Sequence, residues 1–377
     1  MRKKIVCFAL IFALFVSAAT IESRAEIGVS ALSCVLIDAD TKEILFEKNA
    51  HKELAMASTT KIMTALLTLE NENKNEQFTV DSKAIRVEGS SMGLIEGDSV
   101  CLKTLAIGML MLSGNDAANA AAVKIAGDTA SFCKLMNDRA KKIGMKNTVF
   151  ETPSGLDSEN HHSTAYDMAL LGAEAIKNSE FVEICSKSKY TVTFGKTPQS
   201  RTFYNHNRLV KEIDGCIGIK TGFTKKAGRC LVSAVKRFGR TLVCVTLKAP
   251  NDWQDHKSLY NYGFSLYEKT EIDLSALQDL KIVNSQKESV AVLPLERAEL
   301  YIKKGEKIEI KRYTRPFEYA PVYSGDVVGS LCLKVGDVEV FKTSLLAGES
   351  AYLKDVKEQK EQGFFKKLVD FFKALFK

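Results

Sequence analysis

Hydrophobic and polar positions divide the chain into stretches of two periods. Ala31 to Asp38 is an apolar run of strand length, and Glu43 to Phe46 reads as its hairpin partner across Asp40-Thr41-Lys42. The period then becomes helical: Ile62, Ala65, Leu66 and Leu69 recur on one face, behind Ser58 where that helix would begin. Thr104 to Ala126 is rich in Leu, Met and Ala on every side, which predicts two buried helices joined at Leu112-Ser113-Gly114-Asn115-Asp116. Another helix is predicted from Thr129 to Ile143, closed by Gly144, and a further one from Thr164 to Lys177, capped by Ser163 or Thr164. From Tyr190 the pattern turns strand-like: Tyr190 to Phe194, Asp214 to Lys220, and a hairpin of Cys230 to Lys236 with Arg240 to Leu247. Asp252 to Tyr267 returns to helix.

Residues 26–270 therefore read as one α+β unit, an antiparallel sheet flanked by helices with an all-helical subregion. Beyond Glu271, short strands punctuated by Pro294, Gly305, Gly325, Gly329 and Gly336 predict a small all-β domain over 273–348. Residues 351–362 read as a charged linker, helical or extended. Residues 363–377 are expected to form an amphipathic C-terminal helix. Its Phe364, Phe365, Leu368, Val369, Phe371, Phe372, Leu375 and Phe376 fall on one side, and Lys366, Lys367, Asp370, Lys373 and Lys377 on the other. The segment is too short and too charged to span a bilayer, so it is expected to lie in the plane of the membrane with its lysines toward anionic lipid. Its rival placement is against the all-β domain.

Charge and composition add an address. Arg2, Lys3 and Lys4 precede an apolar run from Ile5 to Ala19, and Ser23 and Ala25 suit a signal-peptidase cut after Ala25. Residues 1–25 thus read as a signal peptide, and the protein is expected to be exported. Cys7 lies inside the apolar run rather than at its end, which argues against a lipoprotein. Of the net charge of +7, about +3 lies in residues 1–25 and +3 in 354–377, leaving about +1 on the body. That is no nucleic-acid surface. Eight cysteines remain after the leader, scattered singly with no Cys-x-x-Cys, and Cys34, Cys230 and Cys244 fall in apolar runs; they read as mostly free thiols. No metal-ligand spacing is present, so neither a metal nor a cofactor is expected.

Three short motifs carry the chemistry. Ser58-Thr59-Thr60-Lys61 places a hydroxyl and an amine three residues apart on one helical face. Alone, this is an N-cap serine with a solvated lysine, although a cation at the positive end of a helix is mildly unfavourable. Ser113-Gly114-Asn115 lies at the junction of the two buried helices, and Lys220-Thr221-Gly222 ends a strand just before the 230–247 hairpin. In this order and at these elements, the sequence resembles the penicillin-recognising serine acyltransferases. Within that group it is most similar to the low-molecular-mass penicillin-binding proteins that act as D-alanyl-D-alanine carboxypeptidases. The likeness includes Asp116-Ala117 after the second motif, Thr152-Pro153-Ser154-Gly155-Leu156 and Ser163-Thr164-Ala165-Tyr166-Asp167.

The resemblance implies a β-lactamase/transpeptidase-like fold and a membrane-anchoring tail. It also implies catalysis by Ser58, Lys61, Ser113 and Asn115, with substrate binding by Lys220, Thr221, Gly222 and Phe223. Ser58 would be the nucleophile and Lys61, kept neutral by burial and by Lys220, its base. The N–H groups of Ser58 and Phe223 would form the oxyanion hole, and Lys220 and Thr221 would hold the terminal carboxylate. The implied partners are stem peptides ending in D-Ala-D-Ala, with β-lactams as covalent inhibitors. Phe223 stands where relatives often carry His or Tyr, and His206 where some carry Arg.

Gly89-Ser90-Ser91-Met92-Gly93 matches a Gly-x-Ser-x-Gly nucleophile elbow in letters, but that elbow needs a strand before and a helix after, and here Leu94-Ile95-Glu96-Gly97-Asp98 continues as a turn-rich strand or loop. A β-lactamase is the nearer rival, yet no Glu-x-x-Leu-Asn lies between Ser113 and Lys220. A DD-endopeptidase of the same fold is a second rival, and a wall-binding scaffold with vestigial catalysis a third.

Overall fold

A computed structural model describes residues 27–354, apart from 273, 275, 276, 298 and 304. The expected signal peptide and the 363–377 helix lie outside the described residues, as does the linker beyond residue 354. By compactness the chain divides into two units, along other lines than the single segment 26–270 that the sequence suggests. One comprises residues 27–36, Phe46–Ser233 and Cys244–Asn261, and the other Ile37–Leu45, Ala234–Val243 and 262–354.

The strands β1 (Ser33–Asp38), β2 (Ile44–Lys48), β7 (Cys216–Thr224), β8 (Gly228–Arg237) and β9 (Arg240–Leu247) form one sheet in the order β2-β1-β9-β8-β7. Two small pairs accompany it: β3 (Phe78–Thr79) with β4 (Ser99–Val100), and β5 (Lys189–Phe194) with β6 (Gln199–Tyr204). Strands β1 and β9 are buried at every position, as expected of near-continuous apolar runs. The order leaves β7, which carries the third motif, at an edge.

The helices are α1 (Lys61–Glu70), α2 (Leu102–Leu112), α3 (Asn115–Ala126), α4 (Thr129–Ile143), α5 (Ala165–Ala175), α6 (Ser179–Cys185), α7 (Leu209–Glu212) and α8 (Asp252–Ser265). α4 has the predicted bounds because Asp128 caps its Ser131 N–H and Gly144 closes it at φ +91°. Thr164 rather than Ser163 caps α5, accepting from Asp167 N–H. The hydrophobic α1 is buried on all sides: Ile62, Met63, Ala65, Leu66 and Leu69 are each at most 1 % exposed. Its first residue, Lys61, is buried with them.

The second unit is mainly strands, with a core of Leu280, Ile282, Val290, Val292, Leu331, Leu333 and Leu345. Tyr267, expected to end a helix, instead opens the strand Tyr267–Glu271, which pairs antiparallel with Glu299–Lys303. Its phenol donates to buried Asp38, a polar demand that a helix end would leave unmet. Ala351 and Leu353, expected in the linker, form β-bridges with Val322 and Ser285.

Candidate active site

The chain enters α1 through a single 3-10 turn, Ala57–Thr60. The hydroxyls of Thr59 and Thr60 donate back to the carbonyls of Met56 (2.6 Å) and Ala57 (2.8 Å), tightening the turn. Ser58 therefore sits half-buried in that turn rather than capping an α-helix, which begins only at Lys61. Ala57 holds φ +49°, a left-handed conformation costly for a residue with a Cβ. The turn is braced from below. Thr60 Oγ1 lies 2.8 Å from His161 Nε2, and His161 Nδ1 accepts from Glu151 N–H at 3.0 Å. Gly155 (φ +82°) passes so close that any side chain there would overlap the Ala57 carbonyl.

Lys61 is the buried centre of this arrangement. Its Nζ lies 3.1 Å from Ser58 Oγ, 2.6 Å from Asn115 Oδ1 and 2.5 Å from the Ser154 carbonyl. Burial, and then the nearby Lys220 charge, push the amine well below the ordinary lysine range, with Asp116 opposing. A neutral amine has two N–H groups and one lone pair. The Ser154 carbonyl can only accept, and Asn115 is held oxygen-first because its Nδ2 donates to the Glu88 carbonyl at 2.7 Å. These two oxygens take the two hydrogens, which leaves the lone pair for the Ser58 hydroxyl.

The second motif owes its shape to the end of α2. Ser113 N–H bonds back to the Met109 carbonyl and Gly114 N–H to that of Gly108, with Ser113 at φ +64°, an αL closure that uses serine where glycine is usual. Ser113 thereby lines the same cleft as Ser58. A side chain at Gly114 would press on Asp116 Oδ1 and Met92 N. Asp116 itself is 2 % exposed and accepts from Ser91 Oγ (2.5 Å) and from the N–H groups of Met92 (2.9 Å), Gly93 (3.1 Å) and Leu94 (3.1 Å). Sequence reasoning assigns no role to Asp116 and takes the 89–93 stretch for a false elbow. That stretch is no elbow, having neither strand before nor helix after, but its Ser90 lines the cleft and accepts from Asn115 N–H.

The third motif lies on β7. Lys220 is 1 % exposed, donates to the Thr221 carbonyl at 2.8 Å, and is pushed down by burial to about 7. Gly222 lets the strand lie against the nucleophile turn: a Cβ there would stand 3.0 Å from both Ser58 N and Thr59 N. Phe223 is two-thirds exposed. The structure thus brings Ser58, Lys61 and Asn115 into one hydrogen-bonded group. Ser113, Thr221, Gly222 and Phe223 join Ser58 around a cleft of about 320 Å³ that also takes in His206, Arg229, Asp252 and Trp253. His206, exposed at the cleft, is held low by partial desolvation and then by Lys220. Among the described residues no His, Cys, Asp or Glu cluster is placed to hold a metal ion.

Residues 18–251 match the family model described as D-alanyl-D-alanine carboxypeptidase. The chain is 32 % identical over 342 residues to the D-alanyl-D-alanine carboxypeptidase DacF of Bacillus subtilis, covering 86 % of each chain. Its fold is similar to the crystal structure of the D-alanyl-D-alanine carboxypeptidase DacD from Francisella tularensis, with a TM-score of 0.61, 27 % identity and coverage of 88 % of this chain and 95 % of that one. It is likewise similar to penicillin binding protein 5 from Haemophilus influenzae, with a TM-score of 0.60, 26 % identity and coverage of 86 % and 98 %. With this geometry and these likenesses together, the chain belongs to the D-alanyl-D-alanine carboxypeptidase family of serine peptidases.

Proposed function

We propose that the chain removes the C-terminal D-alanine from peptidoglycan stem peptides through an acyl-enzyme on Ser58. The observation that carries this reading is the placement of Lys61, whose Nζ lies 3.1 Å from Ser58 Oγ while its other two partners, Asn115 Oδ1 and the Ser154 carbonyl, can only accept. Ser58 Oγ attacks the carbonyl between the two D-alanines as its proton passes to Lys61 Nζ. The N–H groups of Ser58 and Phe223 receive the developing oxyanion. The C–N bond then breaks, the leaving amine takes a proton by way of Ser113, and D-alanine departs. Water hydrolyses the ester with Lys61 again as base and restores Ser58. Asn115 orients Lys61, while Lys220 and Thr221 hold the terminal carboxylate and Gly222 lets the peptide lie along the β7 edge.

A β-lactam acylates the same serine, but its ring-opened amine stays tethered and cannot leave. With no deacylating Glu-x-x-Leu-Asn between Ser113 and Lys220, a long-lived adduct follows. Mass measurement after benzylpenicillin should place the adduct on the Ser58 peptide, and an adduct elsewhere would overturn the assignment. Wild type should release D-alanine and Ser58→Ala should not; equal release, or none from either, sinks the enzymatic reading.

Export by the 1–25 segment and in-plane anchoring by 363–377 complete the proposal and put the enzyme at the outer face of the cytoplasmic membrane. Among the described residues no helix is long and apolar enough to cross a membrane. Deleting 363–377 should move the protein from the membrane pellet to the supernatant; unchanged pelleting removes the anchor.

A further inference from the structure

The described residues of the mainly β unit end at Lys354, beside a group of exposed apolar side chains. Tyr319, Tyr323, Val327, Tyr352 and Leu353 are each between 50 % and 69 % exposed. Single exposed hydrophobic residues are ordinary, but these are gathered in one place. Val322 and Ala351 exchange both backbone hydrogen bonds, at 3.0 and 2.8 Å, which sets the 319–327 segment against the last residues before Lys354. Tyr323 and Tyr352 meet edge to face with ring centroids 6.2 Å apart. Tyr319 stands edge-on to Phe317 at 5.5 Å and lines a common groove with Val327.

The backbone that carries these side chains is fixed. Asp326 N–H donates to the Tyr323 carbonyl at 3.0 Å, while the Asp326 carboxylate accepts from Tyr323 N–H at 2.8 Å. Ser324 N–H donates to Ser350 Oγ at 2.9 Å. Rings set in place by such bonds lose little freedom when something covers them. The neighbouring carboxylates are already engaged: Asp326 in this turn, Glu318 with Arg315 and Glu349 with Lys287.

Three properties select a bilayer surface as the occupant. Tyrosine joins an apolar ring to a polar tip, the combination favoured at the level of lipid headgroups. Residues 354–377, which continue from the patch, carry a net charge of about +3, complementary to anionic lipid. The eight residues 355–362 reach at most about 30 Å even when fully extended. A tail lying in the membrane therefore keeps Lys354, and the patch beside it, within that distance of lipid.

We propose that the patch around Tyr323 and Tyr352 is a second membrane contact, seated in the headgroup layer of an anionic bilayer in whose plane 363–377 lies. This rests on the anchor reading above and adds a folded surface to it. The short tether makes the second contact effectively intramolecular, so the two reinforce each other.

The test mixes the chain, tail included, with vesicles of phosphatidylglycerol and phosphatidylethanolamine. Tyr323→Ser combined with Tyr352→Ser should weaken cosedimentation about 10-fold, which corresponds to about 60 Å² of ring surface leaving water. Release of D-alanine from a soluble peptide should stay unchanged. Tyr352→Trp places a reporter in the patch. Lipids brominated in their acyl chains should quench it beyond the quenching of wild type, whose one tryptophan is Trp253. This conservative variant carries the test if the double variant does not fold. Equal vesicle affinity for wild type and the double variant, or no added quenching, would overturn the patch and leave the anchor intact. A double variant that keeps its lipid affinity but no longer binds peptide-free glycan strands would give the patch to the wall polymer, which overturns the proposal as well. Failure of the anchor reading looks different: wild type itself would not sediment with the vesicles, and both would fall together.

Discussion

His161 Nε2 stands 2.8 Å from Thr60 Oγ1, which puts a buried imidazole directly under the turn that presents Ser58. Because Nδ1 accepts from the Glu151 N–H, the ring's one proton sits on Nε2 and is given to Thr60, whose own hydroxyl bonds to the strained Ala57. The turn is thus supported by a neutral histidine, and burial pushes that histidine down to about 4.

Stability should follow the charge of this ring. The folded value lies below the unfolded one near 6.5, so between the two the unfolded chain binds more protons. The contribution is complete above about pH 6.5 and is lost as pH falls toward 4; in full it is on the order of 3 kcal/mol. His256, buried against Ser233 and Thr246 and held at about 3, adds to the same slope. Thermal melts from pH 7 to pH 4 should show the midpoint falling, with a shallower fall in His161→Gln. An unchanged slope would mean that His161 does not contribute.

The pH dependence of acylation should report Lys61. Burial and the Lys220 charge both favour the neutral amine, so the acid limb of the acylation rate should lie well below the ordinary lysine range. Replacing Lys220 by Gln removes one of the two depressing influences and should move that limb to higher pH. Stopped-flow acylation by a chromogenic β-lactam measures both profiles. A limb that stays in place, or moves down, would separate Lys220 from the tuning of Lys61.

Asp116 should matter although it reaches no substrate. Its carboxylate gathers three backbone N–H groups and one hydroxyl of the 91–94 loop. Asp116→Ala would leave those donors without their acceptor, at a cost of about 2–4 kcal/mol by the usual range for buried charge-assisted hydrogen bonds. Denaturant unfolding checks the size, and the acylation rate should fall with it because Ser90 in the adjoining stretch accepts from the Asn115 N–H.

Gly155→Ala should be damaging beyond its size. The new methyl would collide with the Ala57 carbonyl, in a backbone conformation unfavourable to any L side chain. The nucleophile turn must yield, and a displacement of even about 1 Å can cost about 100-fold in rate. A variant that acylates at the wild-type rate would show that the turn accommodates the methyl freely.

How far the sequence alone reveals these features depends on whether their cause is local. The two buried helices and their junction, the bounds of α4 and the 230–247 hairpin follow from spacing, caps and turns, and the sequence displays these directly. The three motifs are legible because their order is a signature. Other features rest on contacts between residues far apart in the chain. Nothing in Thr59-Thr60 announces a 3-10 turn until both hydroxyls are seen to bond backward. Nothing near Asp116 says that it holds residues 25 positions upstream. Arg229 and Asp252 are 23 residues apart and read singly as surface charges. Local reasons correctly exclude 89–93 as an elbow, yet its place beside Ser113 is set by Asn115 and Asp116.

The eight cysteines of the described chain are all free thiols. Burial pushes Cys34 up to about 12 and Cys133 and Cys230 to about 11, and raises Cys185 and Cys244 as well. All five belong to the unit that holds Ser58. In the folded protein they are shielded from electrophiles both by packing and by protonation, since the thiolate is the reactive form. An opened chain would instead present them as ordinary thiols. Uptake of an alkylating label therefore becomes a clock for opening of the catalytic unit. Run beside penicillin acylation, it would separate a variant that has lost its chemistry from one that has lost its fold.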